Sequence, residues 1–294
     1  MKINQIEMFI HTLQSGSITE AARKLNKSRT TVSAALSAFE DDLGVQLLHR
    51  TGNKVQLTDI GEAIANDCER LLMIANDIHN KCSQHLNGVE SAIRIARDDT
   101  LPESLWRSLV QQMSERFPDT SISVYVAPPP ELEQMVKQNV IDVAYGLLPG
   151  DHQIPTVYHR ELGQIRMMSV AHKDHPLSQL RKVISTDLER YTEIALAYIE
   201  NESLRAVTPR SSNFIALPFY EHLRDAVLDG TGWSYVPALL INDHLRDGDI
   251  KVLKHNKATS WQPYGEIIEN ETRRGVVIEW LSDRLENFLL DANH

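Results

Sequence analysis

Residues 28 to 37 concentrate one kind of hydrogen-bonding chemistry. Ser28, Arg29, Thr30, Thr31, Ser33 and Ser37 supply five short hydroxyls and one guanidinium. A helix that only had to be soluble would carry Lys and Glu on such a face. Short polar groups let a helix sink into a DNA major groove and reach base edges or phosphates, and an Arg can grip a guanine with two hydrogen bonds. Beyond them, His49-Arg50-Thr51-Gly52-Asn53-Lys54 reads as a basic turn. Its Arg50, Asn53 and Lys54 suit phosphate oxygens.

A second cluster is Arg97-Asp98-Asp99-Thr100, at the end of an apolar run. Ligands of open α/β sheets bind at the carboxyl ends of strands, so this edge is a candidate cleft wall. Thr100-Leu101-Pro102-Glu103 has the form of a capping box. The adjacent carboxylates put negative charge where an anionic ligand would want none. The run Ala127-Pro128-Pro129-Pro130 lacks three backbone N–H donors. Both features favour a neutral or cationic small molecule, or no ligand at all.

Other chemistry is thin. His172 and His175 stand three apart before Pro176, with no helix to hold them as metal ligands. The sequence has no Gly-x-Ser-x-Gly, Walker A or Cys-x-x-Cys motif and no convergent acid, base and nucleophile. No enzyme, cofactor or metal site is expected. Cys68 and Cys82 are too few for a disulfide framework. They read as small buried hydrophobes, with redox sensing through these thiols as the alternative to small-molecule binding.

The elements that must position these groups follow from periodicity. Ile3, Ile6, Phe9, Ile10 and Leu13 form the buried stripe of one helix, broken at Ser15-Gly16. Ser17 and Glu20 frame a capping box with Thr19 in the first turn, and a short helix buries Ala21, Ala22 and Leu25. Asn26 tolerates the left-handed turn, Ser28 caps a third helix burying Val32, Leu36, Phe39 and Leu43, and Gly44 ends it. Helix, tight turn, helix is the helix-turn-helix pattern, and two short strands at 45–48 and 55–57 would make the basic turn a wing. Thr58 opens a long helix over 59–88. In it Ile64, Cys68, Leu71, Ala75, Ile78 and Cys82 recur at heptad spacing, right for a two-helix dimer contact.

The remainder alternates strand and helix. Strands are expected at 92–96, 121–126, 141–145, 166–171, 193–197, 233–236 and 250–253. Helices are expected at 101–117, 131–138 and 275–290, the last burying Ile278, Leu281, Leu285 and Leu289. This argues for a mostly parallel sheet.

The 294 residues are 42% hydrophobic and 24% charged, an ordinary globular composition, with a net charge of −10. Residues 1–58 carry seven Lys/Arg against five Asp/Glu, a net +2, so the remaining residues carry −12. A mildly basic head on an acidic body points to nucleic acid at one end. No apolar run approaches the ~20 residues needed to span a bilayer, and no secretory signal is visible at the N-terminus. The chain is expected to be cytoplasmic, with no membrane partner.

Phe9, Ser15-Gly16-Ser17, Thr19, Ala21-Ala22, Leu25, Ser28, Val32-Ser33, Leu36, Glu40, Leu43-Gly44, Leu47-Leu48, Arg50, Leu57-Thr58 and Gly61 together resemble the winged helix-turn-helix of LysR-type transcriptional regulators. Arg29-Thr30-Thr31 departs from the family's frequent Gln-Pro-Ala, and Ala34 from its frequent Arg. The resemblance implies a winged head (1–58), a linker helix pairing antiparallel between subunits (59–88) and a periplasmic-binding-protein-like α/β effector domain (89–294). The last would have lobe I at 90–162 and 267–294 and lobe II at 163–266, with crossovers near Leu162-Gly163 and Gly265. His175-Pro176-Leu177 and the Gly230, Gly232, Pro237 run also fit. The resemblance implies double-stranded DNA as partner, a homodimer or homotetramer, and a small-molecule effector between the lobes, with RNA polymerase as a further candidate partner. Its expected contacts are Asp98, Asp99, Thr100, Leu101, Pro128, Pro129 and Gly146, with Tyr198 and Asn201 closing from the second lobe.

Overall fold

The computed structural model describes residues 1–51, 54–86, 88–149, 157–271 and 274–292. The chain divides into two compact units, Met1–Asn87 and Gly88–His294.

The first unit packs α1 (Ile3–Ser15), α2 (Ile18–Lys24) and α3 (Arg29–Leu43) around Ile6, Phe9, Ile10, Ala22, Val32, Leu36 and Phe39. The rings of Phe9 and Phe39 meet edge to face at 5.6 Å. Burying side chains of this size stabilises by roughly 1.5–3 kcal/mol each, so the three helices form one cooperative block. Each helix starts and stops for a local reason. The Ser17 hydroxyl accepts the Thr19 N–H and caps α2, while Glu20 pairs with Arg23 at 2.8 Å instead of closing the expected capping box. Asn26 makes the turn at φ 53°. Ser28 Oγ accepts the Thr31 N–H at 3.0 Å, and Gly44 closes α3 in the left-handed region.

β1 (Leu48–Thr51) and β2 (Lys54–Leu57) pair antiparallel. The first strand begins later than the apolar run 45–48 suggests. The reason is Glu40, whose carboxylate takes the N–H groups of Leu47 and Leu48 where the strand starts. Thr58 Oγ1 then accepts the Gly61 N–H at 3.1 Å and opens α4 (Asp59–Leu86). A Cβ at Gly61 would overlap the Leu47 carbonyl, so glycine is what lets this helix lie against the wing.

The second unit runs β3 (Ala92–Arg97), α5 (Glu103–Arg116), β4 (Ser121–Val126), α6 (Pro129–Lys137), β5 (Val143–Leu147) and the long β6 (Tyr158–His172). It continues with α7 (Pro176–Gln179), α8 (Ser185–Arg190), β7 (Glu193–Glu200), β8 (Ser203–Ala206), β9 (Phe214–Leu217) and α9 (Tyr220–Leu228). It ends with β10 (Trp233–Pro237), α10 (Asn242–Asp247), β11 (Ile250–Val252), β12 (Thr259–Ile268) and α11 (Val276–Ala292). The sheet order is β4-β3-β5-β12-β6-β10-β7-β8, with β11 also on β6 and β9 on β7.

The sheet is mixed rather than mostly parallel. Pairing is parallel across β4-β3-β5 and where β7 meets β9 and β10, and antiparallel along β5-β12-β6-β10. The difference comes from β12, which the sequence reading lacks. It returns along β6 and joins the two parallel lobes into one sheet. Its register against β6 slips between Tyr264 and Gly265, beside Leu162 and Gly163. Ile278, Leu281, Leu285 and Leu289 of α11 are buried in the main core with Ile93, Ile95, Trp106 and Tyr145. Among the described residues, no helix is long and apolar enough to cross a membrane.

Candidate nucleic-acid interface and ligand cleft

On α3, Val32, Leu36 and Phe39 point into the core while Arg29, Thr30, Thr31 and Ala34 are exposed and Ser33 and Ser37 half-buried. At 100° per residue, Arg29, Thr30, Ser33 and Ser37 share one face of the helix. Ser28 Oγ lies 2.7 Å from both Thr30 Oγ1 and Thr31 Oγ1, so the three hydroxyls fix one another over the helix start. Thr19, at the exposed first turn of α2, and half-buried Ser17 flank this surface. The unit therefore offers a helix face of small polar groups beside two capped N-termini, which suits anionic backbone and base edges.

In the wing, Arg50 lies opposite Val55 and Thr51 opposite Lys54 in the hairpin register. Asn53 and the side chains of Arg50 and Lys54 lie outside the described residues. Glu40 is the residue that sequence reasoning missed here: it ties the wing to α3 through two backbone N–H groups. The Val55 N–H also donates to the Gly16 carbonyl. The available signal was an acidic residue on a helix otherwise turned toward nucleic acid.

The heptad positions of α4 do not form one continuous seam. Ile64 and Cys68, with Leu72, pack into the core of their own winged unit. Leu71, Ile74 and Ile78 stay exposed at 44%, 53% and 59%, Ala75 is half-buried and Cys82 is exposed. Heptad spacing reports an apolar stripe and not which partner covers it. Burial, with Asp67 nearby, pushes the Cys68 thiol up, away from a reactive thiolate.

In the second unit the candidate cleft residues divide. Asp98 is fully buried, and its carboxylate accepts the Thr100 N–H at 3.0 Å and the Leu147 N–H at 2.7 Å. Asp99 accepts the Glu221 N–H, at the start of α9 in the opposite lobe, at 2.9 Å. The expectation that this pair presents open negative charge to a ligand is therefore corrected: both oxygens of Asp98 and one of Asp99 are held by backbone donors. Burial pushes Asp98 up to about 7 and Asp99 up to about 6, which further weakens their charge near neutrality.

Thr100 and Leu101 are buried, and Thr100 Oγ1 makes no well-formed hydrogen bond. The expected Thr100 capping box does not form. Pro102 is the N-cap of α5, and Glu103 pairs instead with buried Arg97, whose guanidinium stacks on Trp106 at 5.2 Å. Gly146 sits inside β5, where a Cβ would lie 2.7 Å from the Asp98 carboxylate. It makes room for that side chain and does not line an opening. Pro128 is buried and Pro129 half-buried where α6 begins.

Tyr198 is half-buried in β7 and pairs with Arg205. Asn201 is an exposed turn residue. With Glu202 it makes the two-residue turn between β7 and β8, both at positive φ (48° and 61°), the type I′ hairpin for which Asn is favoured. The lobes instead meet through Glu131 of α6, which accepts the Ile199 N–H at 2.7 Å. His172 and His175 spend Nδ1 on the N–H groups of Asp174 and Leu177.

Residues 3–62 match the family model described as bacterial regulatory helix-turn-helix protein, lysR family, and residues 87–289 match the LysR substrate binding domain. The chain is 27% identical over 252 residues to the multiple virulence factor regulator MvfR of Pseudomonas aeruginosa, covering 85% of this chain and 75% of that protein. It is 20% identical over 299 residues to the HTH-type transcriptional activator AaeR of Escherichia coli, covering 99% and 95%. Among solved structures it is similar in fold to a variant of OxyR from Corynebacterium glutamicum (TM-score 0.66, 20% identity, 99% of this chain and 94% of that one). It is also similar to CbnR, a LysR family transcriptional regulator (TM-score 0.54, 18% identity, 97% and 100%).

Proposed function

The chain belongs to the LysR family of bacterial transcriptional regulators, and from that premise we propose how its parts divide the work. As a family member it joins a DNA-binding helix-turn-helix to an effector-binding domain, and the relatives it matches are regulators rather than enzymes. In our reading α3 enters the major groove, with Arg29, Thr30, Ser33 and Ser37 toward base edges. Ser17, Thr19, Ser28 and Thr31 lie at the helix starts beside phosphates, and Arg50, Asn53 and Lys54 of the wing touch the backbone. The observation that carries this is the small, polar face of α3, exposed at Arg29 and Thr30 and half-buried at Ser33 and Ser37, beside its buried Val32, Leu36 and Phe39.

A small molecule binding between the lobes near Thr100 modulates DNA binding. The exposed apolar strip of α4 (Leu71, Ile74, Ile78) pairs with a second copy, building a homodimer and then a homotetramer in the cytoplasm, where the bound regulator acts on RNA polymerase. Genomic footprinting with the purified full-length protein tests the DNA half: discrete sites whose occupancy falls with salt support it. Uniform coverage at every salt concentration would refute it.

A further inference from the structure

We infer that Asp99 and Glu131 set the charge selectivity of the cleft: each lays one of the chain's own carboxylates on a backbone amide of the opposite lobe, so carboxylate effectors are excluded and the effector is an uncharged, hydrogen-bonding molecule. This rests on the reading that an effector binds between the lobes.

An anion held at this place needs backbone donors or cations, and most of the nearby ones are already engaged. The start of α9 carries the partial positive charge of a helix N-terminus, and its Glu221 N–H is held by Asp99 Oδ2 at 2.9 Å. At the carboxyl end of β7 the Ile199 N–H is held by Glu131 Oε1 at 2.7 Å. The α6 terminus follows Pro128 and opens with Pro129 and Pro130, which have no N–H to give. Pro102 likewise has none at the start of α5. Buried Arg97 is paired with Glu103 through one terminal nitrogen and stacked on Trp106, which leaves its Nε as the donor here without a hydrogen-bond partner, its charge already matched by Glu103.

The least committed groups are of another kind. Asp99 Oδ1 is buried without a hydrogen bond, and Thr100 Oγ1 is buried beside the Asp98 carboxylate without a well-formed one, both residues being more than nine-tenths buried. An acceptor and a hydroxyl left in this state call for a ligand hydroxyl or amide N–H. A cation fits less well, because three of the four oxygens of Asp98 and Asp99 already accept backbone N–H groups and burial disfavours their charged forms.

The test uses the full-length protein with sodium acetate and sodium benzoate as probes, against sodium chloride at matched ionic strength, with benzamide as the uncharged counterpart. Wild type is expected to show no saturable carboxylate binding. Asp99→Ala uncovers the Glu221 N–H and should bind benzoate saturably, at concentrations about ten- to a hundredfold below the highest at which wild type shows none, the scale of one charge-assisted hydrogen bond. Acetate should also restore part of its lost melting temperature. Asp99→Asn keeps an acceptor oxygen for that N–H and should gain nothing. Should Asp99→Ala fail to fold, Glu131→Ala at the more exposed rim should show the same gain on a smaller scale. Benzoate binding by wild type as tight as by the alanine variants overturns the inference, as does the absence of any gain in the folded alanine variants. If acetate rescues the variant while no uncharged compound of a metabolite library binds wild type, anion exclusion stands and the effector reading falls.

Discussion

Glu40, near the C-terminal end of α3 and two turns beyond Ser33 on the same side of the helix, holds the backbone N–H groups of Leu47 and Leu48 at 2.8 and 3.0 Å. One carboxylate oxygen thus fixes the hairpin relative to α3. Glu40→Ala removes the acceptor and leaves two partly buried donors without it, a cost of about 1–3 kcal/mol for each group left unsatisfied. DNA affinity should fall even though Glu40 is itself acidic. Simple removal of a negative charge would raise it, so a fluorescence-anisotropy titration with an operator fragment decides by sign.

Arg29 and the wing cations should separate in their salt and sequence dependence. Arg29→Ala is expected to cost about 1–3 kcal/mol at a specific site and much less on random DNA. Replacing Arg50 or Lys54 should weaken both alike and flatten the salt slope by about one unit per lost phosphate contact. Equal losses of Arg29→Ala on both DNAs would make it a phosphate contact, and an unchanged slope in both wing variants would remove the wing from the interface.

The exposed strip of α4 supplies the third prediction. Leu71 and Ile78 lie in the part of the helix that its own winged unit leaves uncovered, at 44% and 59% exposure. Leu71→Asp or Ile78→Asp would place an unpaired charge in a subunit contact, where burial costs several kcal/mol. Sedimentation should then show a smaller particle, and affinity for a two-half-site operator should drop. Cys68→Ala, in contrast, should act on stability and leave assembly intact, because Cys68 is buried within its own unit.

What could be read in advance was local. Ser28 before Val32 and Leu36 specifies a capped amphipathic helix, and Ser121–Val126 alternates and lies between Pro118 and the proline run, so its span emerges unchanged. What could not be read depends on distant partners. Two adjacent aspartates before a helix look like solvated charges. Their actual partners are 49 and 122 residues away, at Leu147 and Glu221, and no periodicity reports them. Strand β12 was hidden for a related reason. Its run Gln262-Pro263 breaks the alternation of a strand, and Pro263, which has no N–H to donate, is held there by its place opposite Gln164. The heptad stripe of α4 was visible, but the residue at which it passes from its own core to an open face was not.

The buried carboxylate of Asp98 makes a pH prediction with a definite sign. Desolvation raises its folded pKa to about 7, against an unfolded value of about 3.9. Between those values the native state holds a proton that the unfolded chain has released. The stabilising contribution of the protonated form is therefore complete below about pH 4 and is lost as pH rises through about 7. Asp99, raised to about 6, acts in the same direction over a narrower range. Urea unfolding of wild type should show stability falling with pH in this window, by at most about 1.4 kcal/mol per pH unit for one proton. Asp98→Asn no longer titrates. Its amide also turns an NH2 toward one of the two backbone donors, Thr100 or Leu147, so the variant starts from lower stability. Its profile from pH 5 to pH 8 should nonetheless be flatter than that of wild type. Parallel profiles would show that Asp98 stays ionised in the folded protein, held by its two N–H donors against the cost of burial.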